Sequence, residues 1–255
     1  MKTLWGVIRC EYGMSVRRWG FLLAYGVLFV FYGINYATVE SGPFNISPGQ
    51  VKADAASMTY ALNLLLPVVG GILAADRLVR DDHLHVRELL NSTPITRPTY
   101  ILGKYLGVLF SLLTPVLVLL TGISLFAVFT REMPPSFLGY TWLAFLAISV
   151  PAYAFITAFS LACPLVMPVR VYQVLFTGYW FWGNFLNPKA IPTLNGTLLT
   201  AGGSFAMEGF FGGSFGFSDG YTAAQAWLNL LVLAACIVVA LSVLERLLAR
   251  RAAQA

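Results

Sequence analysis

Charged residues are scarce in this chain of 255 residues: Asp, Glu, Lys and Arg make up only 11% of it, about half the share that soluble domains carry. Hydrophobic residues reach 58%, more than a soluble fold of this size can cover with polar groups. The scarcity of charge therefore excludes an ordinary soluble domain. Long apolar runs, without the alternation of barrel strands, indicate transmembrane helices.

Three further absences narrow the function. The chain has no phosphate-binding loop of the form GxxxxGK[ST], because its Gly103-Lys104 pair is followed by Tyr105. Its three cysteines have no paired spacing, and we interpret them as small apolar residues. No charged residue lies in the middle of a predicted span, which disfavours an ion-driven carrier. Any ATP hydrolysis that powers this chain must occur in another chain.

The apolar runs predict six spans in a single transmembrane domain over residues 1–255. The expected spans are residues 19–38, 57–75, 105–129, 139–164, 171–186 and 224–244. The fifth corresponds to about 24 Å of helix, which is short for a hydrocarbon core of about 30 Å. Residues 187–223, rich in glycine but still apolar, are expected to form re-entrant or interfacial helices on the external side. The predicted fold class is an all-α polytopic membrane protein.

The N-terminal residues 1–18 are expected to form an amphipathic helix in the membrane interface, because their apolar residues recur every three or four positions. The basic residues predict the orientation, since cytoplasmic loops carry an excess of Lys and Arg. With both termini inside, the outer side holds only Lys52, Arg131 and Lys189 of the 16 basic residues. The charged segment 76–104 then becomes a cytoplasmic loop.

Most of this loop, together with the first residues after it, forms a distinctive pattern from Arg87 to Gly107, RELLNSTPITRPTYILGKYLG. The pattern resembles the first cytoplasmic loop of ABC-2 type permeases, where an acidic residue and a Leu-Leu pair precede a Thr-Pro, a basic residue and a Gly-Lys that enters the third span. The matching residues are Glu88, Leu89, Leu90, Thr93, Pro94, Arg97, Gly103 and Lys104. Where that family usually has an acidic residue followed by glycine, this chain has Asp81-Asp82-His83-Leu84-His85.

The resemblance implies a non-catalytic membrane subunit of an ABC exporter in the bacterial inner membrane. Cytoplasmic ABC ATPase subunits would bind ATP and Mg²⁺, and a second permease copy or a homologue would complete the dimer. This chain would hold no cofactor or metal and bind no nucleic acid. Residues 76–104 would contain a coupling helix between spans two and three, with Leu89 and Leu90 in a groove of the ATPase. The coupling residues so implied are Arg87, Glu88, Leu89, Leu90, Thr93, Pro94 and Arg97. The substrate would be amphipathic or hydrophobic: a drug, lipid, peptide or glycan.

Neutral polar and aromatic residues of the spans are candidates for a substrate path. They are Asn63, Tyr179, Trp180, Trp182 and Asn184. Two competing interpretations stand beside this one. Asparagines within spans commonly join helices by hydrogen bonds, and a cluster of aromatic residues is typical of the membrane interface.

Two other functions are compatible with the sequence. A membrane-embedded lipid or peptide hydrolase would use His83, His85 and the nearby carboxylates. A self-contained channel or carrier would need no ATPase. A metal site at the two histidines is not expected, because residues two apart on a helix point in different directions.

Overall fold

A computed structural model of the protein describes residues 2–38, 49–83, 95–214 and 220–254. Every regular element within these residues is a helix. In chain order the helices are α1 (Lys2–Val16), α2 (Trp19–Thr38), α3 (Val51–Leu62), α4 (Leu66–Ala74), α5 (Arg77–His83), α6 (Arg97–Thr130), α7 (Ser136–Ala144), α8 (Val150–Ala162), α9 (Val169–Asn184), α10 (Ser204–Phe211) and α11 (Ala223–Gln254).

Four helical stretches among the described residues are long and apolar enough to cross a membrane. These are Trp19–Thr38, Arg97–Thr130, Ser136–Leu165 and Ala223–Arg251. The pair Val51–Leu62 and Leu66–Asp81, bent by 42° at a break, makes a fifth if it is taken as one span. The α9 helix has 16 residues, fewer than the roughly 20 that a perpendicular span requires. The structure thus supports four to five spans where the sequence predicted six.

The predicted second span is interrupted at residues 63–65, between α3 and α4. Side chains from two other helices bind the backbone carbonyls freed there. The Tyr32 hydroxyl of α2 donates to the carbonyl oxygen of Leu62 at 3.4 Å, and Nε1 of Trp180 in α9 donates to that of Leu64 at 3.2 Å. Because irregular backbone at membrane depth needs partners within the protein, these two aromatic residues stabilise the break.

The predicted fourth span is one long helical stretch with a local irregularity. A π-helical turn, Phe145–Ser149, joins α7 to α8, whose second residue is Pro151. Proline has no backbone N–H and therefore leaves a carbonyl of the preceding turn without its usual donor. The proline accounts for a departure from regular α-helix at this point, and π turns of this kind are frequent at functional sites.

Packing places the first helix against the longest one. α1 runs along α6, while α8 packs on both α4 and α11, and α10 contacts α3 and α11. The core includes the fully enclosed side chains of Leu62, Leu112, Leu120 and Tyr153. The 34 residues of α6 correspond to about 51 Å of helix, which exceeds a hydrocarbon core of about 30 Å. The end of α6 that contacts α1 can therefore extend out of the hydrocarbon.

Candidate functional site

Three charged side chains from three helices meet in a buried cluster, which we call the ionic junction: Glu11 of α1, Asp81 of α5 and Lys104 of α6. Lys104 Nζ donates to Glu11 Oε1 at 2.7 Å and to Asp81 Oδ2 at 2.6 Å. The Tyr100 hydroxyl also donates to Asp81 Oδ2. Lys104 is only 2% exposed and Glu11 only 5%, and charges so buried are stable only when they are paired. The ionic junction therefore joins α1, α5 and α6.

Two glycines of α6 leave room for α1 to approach the ionic junction. A Cβ atom added at Gly103 would lie 2.8 Å from Cβ of Val7, and one added at Gly107 would lie 2.6 Å from Cβ of Glu11. Small residues four positions apart allow membrane helices to pack with their backbones close together. The Gly-Lys pair in the ABC-2-like pattern thus has a physical explanation here. Gly103 leaves room for α1 to pack closely against α6, and Lys104 forms an ion pair with Glu11 of α1.

A second ion pair lies beside the ionic junction. Arg18, at the corner between α1 and α2, donates from Nη1 and Nη2 to the two carboxylate oxygens of Asp76 at 3.2 and 2.9 Å. This hydrogen bonding raises the pKa of the Arg18 guanidinium above its ordinary value. Both side chains are partly exposed, so the pair contributes little to stability. Its bidentate geometry nevertheless fixes the α1–α2 corner against the end of α4.

Most predicted coupling residues lie outside the part of the chain that the structure describes. These are Arg87, Glu88, Leu89, Leu90, Thr93 and Pro94. The remaining one, Arg97, is the exposed first residue of α6. Residues 84–94 have Asp81 on one side and Lys104 on the other, and these two side chains are bonded to each other. The ionic junction thus holds together the two chain segments that lead into and out of the predicted coupling residues.

Two of the predicted path residues, Asn63 and Asn184, are fully buried and bind other protein groups. Asn63 Oδ1 accepts from the Ser149 hydroxyl at 3.2 Å, and its Nδ2 donates to the carbonyl oxygen of Gly202 at 3.4 Å. Asn184 Oδ1 accepts from the Gly202 N–H at 2.6 Å, and its Nδ2 donates to the carbonyl oxygen of Trp180 at 2.9 Å. These bonds join the α3–α4 break, the π-helical turn and the segment before α10, which is the helix-joining use of asparagine.

The aromatic path candidates occupy three different environments. Trp180 is fully buried at the α3–α4 break. Trp182 is partly exposed and its Nε1 donates to the carbonyl oxygen of Pro192 at 3.0 Å. Tyr179 lines a cavity of about 400 Å³ between α8, α9 and α11, which we call the apolar groove. Its lining includes Phe155, Phe159, Cys163, Tyr172, Phe176 and Cys236. Among the predicted path residues, Tyr179 alone borders this cavity.

Comparison with known proteins decides the family. The family model described as ABC-2 family transporter protein matches residues 5–249 of this chain. The chain belongs to the ABC-2 transporter family. Two curated relatives are probable ABC transporter permease proteins NosY, from Pseudomonas aeruginosa and from Stutzerimonas stutzeri, with 31% and 30% identity over 111 residues. The matched stretch covers 42% of this chain and only 39% of the length of each relative.

Membership of the ABC-2 family confirms the resemblance drawn from residues 87–107. The chain is a multi-pass membrane protein of a permease family, as its apolar helices also indicate. Permeases of this kind are transmembrane subunits, and the family in general implies an ATPase as partner.

Sequence reasoning missed the ionic junction of this ABC-2 protein. The N-terminal helix was predicted to lie in the membrane interface, and Asp81 was considered only as part of the segment Asp81-Asp82-His83-Leu84-His85. Two signals point to the contact. Glu11 is the only acidic residue in a basic N-terminal helix, and Gly103 and Gly107 are spaced for close helix packing around a lysine.

Proposed function

We propose that the chain is the permease subunit of an ATP-driven ABC exporter, powered by a separate cytoplasmic ATPase that binds residues 76–104. A second permease copy or a homologue completes the membrane part, and α9 serves as a short sixth crossing in each. The observation that carries the proposal is the ionic junction, found in a member of the ABC-2 family. It connects the segment proposed to meet the ATPase to α1 and α6.

The ionic junction supplies a route for force from the ATPase to the membrane helices. A displacement of residues 84–94 pulls on α5 or on the start of α6, which flank them. The movement passes through Lys104 to α1, because separating a buried ion pair costs about 3–5 kcal/mol. The close contacts at Gly103 and Gly107 make α1 and this end of α6 move as one body.

The proposed orientation places both termini in the cytoplasm, at the bacterial inner membrane. The Arg251 guanidinium of α11 donates to the carbonyl oxygen of Leu165, and the turn Cys163–Leu165 contacts α5. The end of α11 therefore lies on the same side as the ionic junction. At the opposite side, Arg131 donates to the carbonyl oxygen of Tyr36 at 2.7 Å. Most basic residues are then cytoplasmic, in agreement with the positive-inside rule.

The proposed cargo is an amphipathic or hydrophobic molecule, such as a drug, lipid, peptide or glycan. Tyr179 beside the apolar groove and the partly exposed Trp182 are the proposed contact residues. Asn63, Trp180 and Asn184 are proposed to support the wall of the path, because their polar atoms bind backbone groups of the protein. Aromatic and aliphatic linings suit cargo of this class.

Co-purification tests this function directly. The tagged chain is expressed with the ABC ATPases encoded near its gene, and the purified complex is assayed for bound ATPase. The variant Leu89→Asp/Leu90→Asp places two charges where the ATPase groove is proposed to bury leucines, so it is expected to lose the ATPase. The matched control is Leu186→Asp/Ile191→Asp, two exposed aliphatic residues of the connection after α9, on the proposed outer side, that do not line the apolar groove.

The control variant is expected to retain the ATPase at the wild-type level. Size-exclusion profiles of both variants check that the chains remain folded. If no ATPase binds the wild-type chain, or if the Leu89/Leu90 variant binds it as well as the control does, the proposed coupling role is wrong.

A further inference from the structure

The apolar groove has the size and chemistry of a binding site for a hydrocarbon chain. Its volume of about 400 Å³ lies within the roughly 300–1,000 Å³ typical of small-molecule sites. The residues that line it carry no charge at neutral pH. Tyr172, its most buried phenol, pairs its hydroxyl with Ser160 at 2.9 Å. The walls therefore offer an occupant dispersion contacts and almost no hydrogen bonds.

The surface around the apolar groove also faces hydrocarbon. On α9, Val171, Val174 and Leu175 are exposed apolar side chains, and on α11 Val238 and Val239 are exposed as well. In a membrane-spanning chain these side chains contact lipid tails rather than water. An alkyl chain suits a groove among such side chains, because an empty apolar space loses its packing contacts.

The chain segment at one end of the apolar groove contains one arginine and binds a second. Cys163 and Met167 line that end, and between them the carbonyl oxygen of Leu165 accepts a hydrogen bond from the Arg251 guanidinium. Arg170, in the first turn of α9, is exposed nearby in the chain. Residues 163–172 contain no acidic residue. Arginines at the membrane surface favour anionic phosphate groups, to which guanidinium binds bidentately.

We propose that the apolar groove binds one acyl chain of an anionic phospholipid from the inner leaflet, whose phosphate is held by Arg170 and Arg251. The choice of leaflet rests on the orientation given under the proposed function. The lipid site itself requires no ATPase and no transported substrate. It is a lipid site within one permease subunit, and Tyr179, a proposed cargo contact, is part of its wall.

The test is lipid retention by the purified full-length chain, measured by native mass spectrometry. Delipidated protein in detergent is titrated with phosphatidylglycerol and, separately, with phosphatidylcholine of the same acyl chains. One phosphatidylglycerol is expected to bind more tightly than phosphatidylcholine. Arg170→Gln and Arg251→Gln are each expected to weaken phosphatidylglycerol binding by about fivefold and to leave phosphatidylcholine unchanged.

A matched pair of variants tests the acyl-chain site separately from the phosphate site. Leu175 and Val174 are neighbours on α9 and are 58% and 73% exposed, but only Leu175 lines the apolar groove. Leu175→Trp is expected to fill the groove and to weaken both lipids. Val174→Trp is expected to leave both unchanged.

The native thiols give a second measurement on the same protein. Cys163 and Cys236 line the apolar groove, whereas Cys10 is exposed on α1. Added phosphatidylglycerol is expected to slow alkylation of the two groove thiols by N-ethylmaleimide and to leave Cys10 unaffected. Equal retention of the two lipids, equal effects of the two tryptophan variants, or unprotected groove thiols would each overturn the proposal. The assays contain neither ATPase nor nucleotide, so their failure leaves the co-purification result intact, and the reverse also holds.

Discussion

Replacing Lys104 with methionine removes the ammonium group of the ionic junction and keeps a side chain of similar length. The wild-type group bonds two carboxylates at 2.7 and 2.6 Å while being 2% exposed. Without it, the buried Glu11 and the partly exposed Asp81 become neighbouring charges of the same sign. Breaking a buried ion pair costs about 3–5 kcal/mol, and a loss of about 3 kcal/mol corresponds to a fall in melting temperature of roughly 6–12 °C in a chain of this size.

The assay is thermal unfolding of the purified chain in detergent, with two comparison variants. Lys52→Met removes an exposed lysine of α3 whose ammonium lies 5.8 Å from the centre of the Phe211 ring, and it is expected to cost no more than about 1 kcal/mol. The triple variant Glu11→Gln/Asp81→Asn/Lys104→Met removes all three charges and is expected to recover part of the loss, because the repulsion between the two carboxylates disappears while a buried amide remains without its partner. A Lys104→Met melting temperature within 2 °C of wild type would refute this reasoning. So would a triple variant as unstable as the single one.

Two further predictions use the same assay. Gly107→Ala places a Cβ atom 2.6 Å from the Glu11 Cβ and is expected to destabilise by about 1–3 kcal/mol. Gly122→Ala on the same helix, with open space around it, is expected to be neutral or stabilising, so similar effects would argue against close packing of α1. Asn184→Leu deprives a buried backbone N–H of its acceptor and is expected to cost about 1–3 kcal/mol. Asn187→Ala on the exposed connection after α9 is expected to cost less than 0.5 kcal/mol, and equal losses would contradict the helix-joining role.

The helices that cross the membrane were predictable because hydrophobicity alone sets them. The first predicted span matches α2 residue for residue, and the third and last lie inside the longer helices α6 and α11. Hydropathy does not show where a helix ends outside the hydrocarbon core. Polar residues there can remain helical when they pack against a neighbouring helix. The extra turns of α6 before residue 105 do so against α1.

Pro67, just after the break at residues 63–65, is a local signal for a kink in this span, but the sequence does not show how the break is stabilised, because the stabilising side chains are distant in the chain. Tyr32 of α2 and Trp180 of α9 donate hydrogen bonds to carbonyl groups at the break. No local sequence pattern indicates such partners. The asparagines of the spans were assigned two competing roles for the same reason. Only the fold shows that Asn63 and Asn184 meet at the Gly202 backbone.

The ionic junction could not be predicted either, because its residues are far apart in the sequence. Glu11 and Lys104 lie 93 positions apart, so their pairing depends on how α1 packs. The Gly-Lys pair was recognised only as part of a family-like pattern. The structure adds what that pattern does physically, which is to let one helix approach closely and to place a cation where two carboxylates converge.

ATP hydrolysis by the co-purified ATPase, with and without this chain in the same lipid vesicles, tests the central claim most directly. If the chain is the permease subunit of an ATP-driven exporter, the ATPase assembles on it and its hydrolysis rate in the complex differs from that of the ATPase alone. An ATPase that hydrolyses ATP at the same rate whether or not the chain is present, and that does not bind it, would contradict the account.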